Sequence, residues 1–241
     1  MNSRILFFNL AFFCFVFLSC AKENDITLKS EESLCSQLKN LELDIGFSDK
    51  VNFLYKNAQK TNYEEGFAIF DNGILNRYEY FKGDVNSPSL KINLTKKIDG
   101  ILHNHYSSLY PIFSVGDLNA LYEIIKGGFI RDDKTFLFGL VSFNGTSYLI
   151  KFIDFEKSLM FFNKNFFDSN TIAEMDMRYK RLRDIYLVDN NLIQAGELAF
   201  LDLMDSSGIA LLRGNGVFNK WVRIEKGAAN LVIEVPCDYV K

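Results

Sequence analysis

The sequence predicts a mixed α+β fold with a mostly antiparallel sheet flanked by helices, and three observations carry that expectation. Short stretches rich in strand-forming residues and closed by turn residues recur between residues 66 and 155 and again after 208. Stretches with apolar residues three and four apart stand among them, at 114–126, 171–186 and 192–203. The 24 Phe and 11 Tyr among 241 residues supply enough apolar bulk for a sizeable core. No internal repeat, low-complexity tract or long linker interrupts the chain.

The N-terminus reads as a targeting segment and not as part of the fold. Met1–Arg4 carries one positive charge, and Ile5–Leu18 is apolar apart from Asn9. That run is too short to be a permanent membrane span but suits a signal-peptide core. It ends Phe17-Leu18-Ser19-Cys20, which resembles a bacterial lipobox with Phe17 in the place usually held by Leu. The resemblance implies a signal peptide over 1–19, lipidation at Cys20 and a lipid anchor on a membrane surface of the bacterial envelope. Outer membrane and cell surface both fit, and plain secretion is the alternative. The charged stretch Ala21–Asp25 looks like the export tag of some surface-exposed lipoproteins, and residues 20–45 are expected to serve as anchor and tether.

The fold is expected to begin at 46. Ser48–Lys60 predicts a helix, with Ser48 as N-cap and Val51, Leu54 and Tyr55 on one face. Gly66–Phe70 predicts a strand, Asp71-Asn72-Gly73 a tight turn and Ile74–Phe81 a second strand. A loop at Gly83–Ser89 is followed by expected strands Leu90–Leu94 and Ile98–His105. Ser114–Lys126 carries Leu118, Leu121, Ile124 and Ile125 at helical spacing, and Gly127-Gly128 ends it. Phe136–Phe143 and Ser147–Asp154 make a hairpin around Asn144-Gly145. These elements fill an expected domain at 46–157. A C-terminal α+β extension follows at 158–241, with helices near Thr171–Tyr186 and Leu192–Leu203 and strands near Ile209–Arg213, Trp221–Glu225 and Leu231–Val235. The Phe-rich stretch Phe161–Phe167 and Trp221 either wall a substrate site or cover the sheet, and cover is the commoner use of such residues.

Charge and cysteine usage exclude several function classes. The net charge is −3 and no basic tract appears, so the footprint of a nucleic-acid binder is missing. Cys14 leaves with the signal and Cys20 takes the lipid, so Cys35 and Cys237 remain as an even pair in an oxidising compartment. They either form a disulfide tying the two ends of the mature chain or stay as buried thiols. No Gly-rich loop after a strand offers a phosphate cradle.

The chemistry-bearing residues cluster in one place. The chain has two histidines, both in Leu102-His103-Asn104-His105-Tyr106. On a strand, residues i and i+2 face the same way, so both imidazoles project together, and two nitrogen ligands on one face suit zinc. Ser114-Val115-Gly116-Asp117 follows at a helix start, where Asp117 can supply a carboxylate as third ligand. Ser-x-x-Asp is also a capping box that needs no metal, and the two roles are compatible. A site with no metal, in which His103 and His105 are buried and hydrogen-bonded, is the plainest alternative.

These residues resemble the JAMM (MPN/JAB) metalloprotease family. Its His-x-His-Pro, seven residues and Ser-x-x-Asp are matched by His103-Asn104-His105-Tyr106, the seven residues Ser107 to Phe113, and Ser114-Val115-Gly116-Asp117. Tyr106 stands where the family usually has proline. The resemblance covers roughly residues 48–155 and implies a JAMM/cytidine-deaminase-like fold with one zinc ion held by His103, His105 and Asp117. It implies a glutamate on an upstream strand as well. A small residue commonly lies three after that glutamate, and counting back from Ala68 favours Glu65 over Glu64. By resemblance, Glu65 would take the proton of a zinc-activated water and pass it to the leaving amine, and Ser114 would steady the water or the oxyanion. The implied activity is hydrolysis of a peptide or isopeptide bond in a peptide or protein substrate. A non-catalytic module of the same fold at the cell envelope is the alternative. HNH nucleases spread their residues over a longer motif, and amidohydrolase barrels need further histidines that this chain lacks. Serine and cysteine triads need a histidine base, and both histidines are spoken for.

Overall fold

A computed structural model describes residues 34–71, 76–87, 92–216 and 218–237. The expected signal peptide, Cys20, the charged stretch Ala21–Asp25, and residues 72–73 of the expected turn lie outside the described residues.

Among the described residues, eight strands form one sheet in the order β2-β1-β3-β4-β5-β6-β7-β8. Their ranges are β1 Glu65–Asp71, β2 Asn76–Lys82, β3 Gly100–His105, β4 Leu137–Ser142, β5 Ser147–Phe152, β6 Ile209–Gly214, β7 Trp221–Lys226 and β8 Val232–Val235. Only β3 and β4 pair in parallel; every other neighbouring pair is antiparallel. The parallel pair needs a crossover, which α3 (Val115–Lys126) supplies. Residues 92–94, expected within a strand, are irregular, and Ile98 makes an isolated bridge to Ile130, so the strand itself starts at Gly100.

Helices cover both faces. On one side lie α1 (34–43) and α2 (Ile45–Ala58). On the other lie α3, α4 (Phe155–Asn165), α5 (Ser169–Tyr186) and α6 (Leu192–Leu203). Strand alternation divides the core accordingly. Phe67, Ile69, Leu102, Val141 and Leu149 pack with Val51 and Leu54 of α2. Ala68, Phe70, Ile101, Leu140 and Ile150 pack with Leu118 of α3, Phe162 of α4, Tyr179 of α5 and Leu198 of α6.

Two expectations need correcting. The helix expected from Ser48 starts at Ile45, because Asp44 accepts from the Phe47 N–H at 3.0 Å and its carbonyl takes the Ser48 N–H at 3.1 Å. Residues 34–43, expected as the weakly helical end of a tether, are helical and packed into the fold. Leu34 and Leu38 are buried in the core under α1, and each such burial contributes about 1.5–3 kcal/mol, enough to hold a short helix against the fold. Residues 158–241 continue the same sheet through the β5–β6 ladder, with no separate core of their own. The Phe-rich stretch lies mostly in α4, which the sequence reading missed. Asp154 caps this helix, and Phe162 and Phe166 are buried against Tyr122 of α3. No helix among the described residues is long and apolar enough to cross a membrane.

Cys35 of α1 and Cys237 beyond β8 are disulfide-linked, with Cα atoms 5.3 Å apart and a sequence separation of 202 residues. Closing so long a loop restricts the unfolded chain. Replacing both cysteines by Ser should lower the unfolding free energy by about 2–4 kcal/mol in a urea titration. An unchanged midpoint would mean that α1 docks without help from the bond.

Candidate metal centre

The site is built on β3, which is buried along its whole length and paired on both edges. Leu102 and Asn104 face α2, whereas His103 and His105 face α3 with their ring centroids 5.3 Å apart. Asn104 is the anchor between them. Its Oδ1 accepts from the Glu65 N–H at 2.7 Å, and its Nδ2 donates to the Leu54 carbonyl at 3.2 Å. The His103 ring packs near Phe113 and Phe138.

Asp117 arrives on the first turn of α3, and a capping box fixes it there. The Ser114 hydroxyl accepts from the Asp117 N–H at 3.2 Å, and Asp117 Oδ2 accepts from the Ser114 N–H at 2.6 Å and from its hydroxyl at 2.8 Å. The same carboxylate meets both imidazoles: Oδ1 lies 3.1 Å from His103 Nε2, and Oδ2 lies 3.3 Å from His105 Nε2. One side chain therefore both caps α3 and meets the two imidazoles. The Ser114 hydroxyl, 2.8 Å from Asp117 Oδ2, helps to position that carboxylate.

The donor set fits a metal ion. One ligand atom from each of His103, His105 and Asp117 lies within 4.8 Å of the others. His105 Nδ1 donates to the Tyr110 carbonyl at 2.6 Å, which turns Nε2 toward Asp117 in the manner of oriented metal-binding imidazoles. His103 Nδ1 is buried and finds no hydrogen-bond partner among the described residues, so aromatic packing orients that ring instead. His103 and His105 are buried, and only Asp117 keeps some exposure, 12% of its side chain.

The two candidate glutamates are separated by the register. Gly66 pairs with His103 and Phe67 with Leu102, so even positions of β1 share a face with odd positions of β3. Glu64 thereby falls beside His105, its Oε1 3.5 Å from Nε2. Glu65 points to the opposite face, where its Oε2 accepts from Asn57 Nδ2 of α2 at 2.8 Å. The expectation for Glu65 is thus corrected to Glu64: an offset of three from Ala68 reverses the face of a strand, and an offset of four keeps it. Gly66 permits the close approach, because a Cβ there would lie 2.5 Å from the Leu102 carbonyl oxygen.

Electrostatics follow from these contacts. Burial disfavours the Asp117 anion, but both imidazoles outweigh it and hold the carboxyl well below its ordinary range. Burial also disfavours charge on His105, yet Asp117, Glu64 and the Tyr110 carbonyl lift it to about 9. Glu64 is raised, because its burial exceeds the opposing pull of His105 and His103.

A divalent metal must displace the proton from His105 Nε2, so its affinity should rise with pH up to about 9. Below that point each unit of pH should weaken binding about tenfold, with about one proton released per ion, as calorimetry in buffers of different ionisation enthalpy would measure. His103→Ala and His105→Ala should each abolish binding of one ion per chain in metal analysis.

The chain matches no protein-family model, and neither curated proteins nor solved structures yield a match to it.

Proposed function

We propose that this protein is a zinc-dependent hydrolase of amide bonds, a peptidase or isopeptidase, working at the cell envelope from a lipid anchor at Cys20. The observation that carries the reading is the convergence of one ligand atom from each of His103, His105 and Asp117 within 4.8 Å, with a further carboxylate, Glu64, 3.5 Å from His105 Nε2. Two imidazoles and one carboxylate are a donor set suited to zinc, with a fourth position left over. When bound, zinc supplies a Lewis acid that polarises a carbonyl and brings the pKa of water toward neutrality.

The chain's own residues supply the rest. His103, His105 and Asp117 hold the ion, and the Ser114 cap keeps Asp117 from rotating away. Glu64 carries the proton: a buried carboxyl with a raised pKa accepts one from water and returns it to a leaving amine. His105 keeps its orientation through Tyr110 while that transfer takes place. The substrate is a peptide or protein that carries the amide bond.

One observation favours a second reading. Glu64 lies close enough to His105 to serve as a fourth ligand, which would close the site and make the protein a non-catalytic envelope module. Glu64→Gln separates the two. For the hydrolase, zinc stays near one per chain while cleavage of a mixed peptide library, followed by mass spectrometry, falls by about 10²–10⁴-fold. Glu65→Gln leaves cleavage unchanged. Loss of zinc in Glu64→Gln would support the closed site, and a wild-type protein that binds zinc but cleaves nothing would sink the hydrolase reading.

A further inference from the structure

A second site lies on the other face of the sheet, away from His103 and His105. A cavity of about 260 Å³ opens between α1, α2 and the strands. Leu38 and Leu41 of α1, Phe47 of α2, Ile69 of β1 and Leu137 of β4 give it an apolar side, Gln37 and Asn40 of α1 add polar positions, and β5 contributes Lys151. The disulfide at Cys35 fastens α1, and with it one wall of the cavity.

Lys151 is out of place in such surroundings. It is 4% exposed, and its Nζ donates to the Thr135 carbonyl at 2.7 Å. Among the described residues no carboxylate pairs with it. The two acids of the lining are engaged elsewhere: Asp99 pairs with Arg131 at 3.3 Å, and Asp44 caps α2. Burial pulls the ammonium down to about 8, and Asp132 opposes this only by charge from a distance. An ammonium has three donors, and a carbonyl uses one of them. A buried cation without a counter-charge calls for an anion.

We propose that this cavity binds a small monocarboxylate with an apolar body, whose carboxylate pairs with the Lys151 ammonium. One cation beside Asp99 and Asp44 neutralises a single negative charge, so a monoanion fits better than a phosphate dianion. The walls suit a chain of a few methylenes. The opposing explanation is that Lys151 only ties down the loop at Thr135.

The test uses hexanoate and its neutral isostere hexanamide, titrated calorimetrically into the disulfide-intact chain. Hexanoate should bind at one site, at least about tenfold more tightly than hexanamide, because a charge-assisted pair replaces a neutral one. Lys151→Met should remove that preference and leave the two probes within about twofold. His103→Ala should leave hexanoate binding intact, because the metal centre lies on the other face of the sheet. Three results would overturn the proposal. One is wild-type protein that binds neither probe at about 10 mM or does not distinguish them. Another is a preference that survives Lys151→Met. The third is hexanoate binding lost in His103→Ala, which would put the carboxylate at the metal centre. The wild-type comparison decides even if Lys151→Met fails to fold.

Discussion

Strand β3 is hydrogen-bonded on both edges, antiparallel to β1 and parallel to β4, and both its faces are buried. Pairing on two sides leaves it no freedom to slip, because a shift of one residue would exchange every side chain between the two faces. Asn104 reinforces the register by joining the β1 backbone at Glu65 to the end of α2 at Leu54. The placement of His103 and His105 toward α3, and of the apolar residue Leu102 toward α2, follows from that one constraint. So does the choice between Glu64 and Glu65, since β1 reads its register from β3.

The two faces handle buried charge in different ways. Around the histidines, Asp117 and Glu64 lie against two imidazoles, and the capping box supplies further donors to Asp117. On the α2 face Lys151 has a carbonyl and no carboxylate partner among the described residues. Removing a charge from water is tolerable when partners and hydrogen bonds replace the lost solvation, and a one-sided arrangement leaves that replacement incomplete. The histidine cluster is therefore partnered within itself, whereas the lysine of the cavity has the Thr135 carbonyl as its hydrogen-bond partner among the described residues.

The described residues of the C-terminal third brace the surroundings of His103, His105 and Asp117. Tyr179 of α5 donates to the Phe113 carbonyl at 3.0 Å, directly before the Ser114 cap. The Arg183 guanidinium stacks 3.6 Å from the centre of the Tyr110 ring, and the carbonyl of that same residue orients His105. Farther along, buried Glu197 of α6 accepts from Tyr148 of β5 at 2.9 Å and from Arg213 of β6 at 3.0 Å, locking helix to sheet. Residues 46–157 and the C-terminal third thus share one sheet and one core. The loop between β3 and α3 is shaped by helices that come later in the chain.

What the sequence alone determined is local. The alternation of a strand puts His103 and His105 on one side, the spacing of Ser114 and Asp117 makes a cap, and apolar periodicity marks most of the helices and strands. Each depends on residues a few positions apart, which is the range over which backbone geometry acts unaided. Tertiary structure decided what depends on distant partners. Asp44 displaced Ser48 as the cap because α2 begins where α1 hands over to it. Residues 34–43 joined the fold because a core lay ready to bury Leu34 and Leu38. Lys151 looks like one more polar residue of a hairpin until the helices close over it. Glu64 came to the histidines instead of Glu65 because cross-strand register is set by the pairing of β1 with β3, more than thirty residues away, and no count along a single strand can supply it.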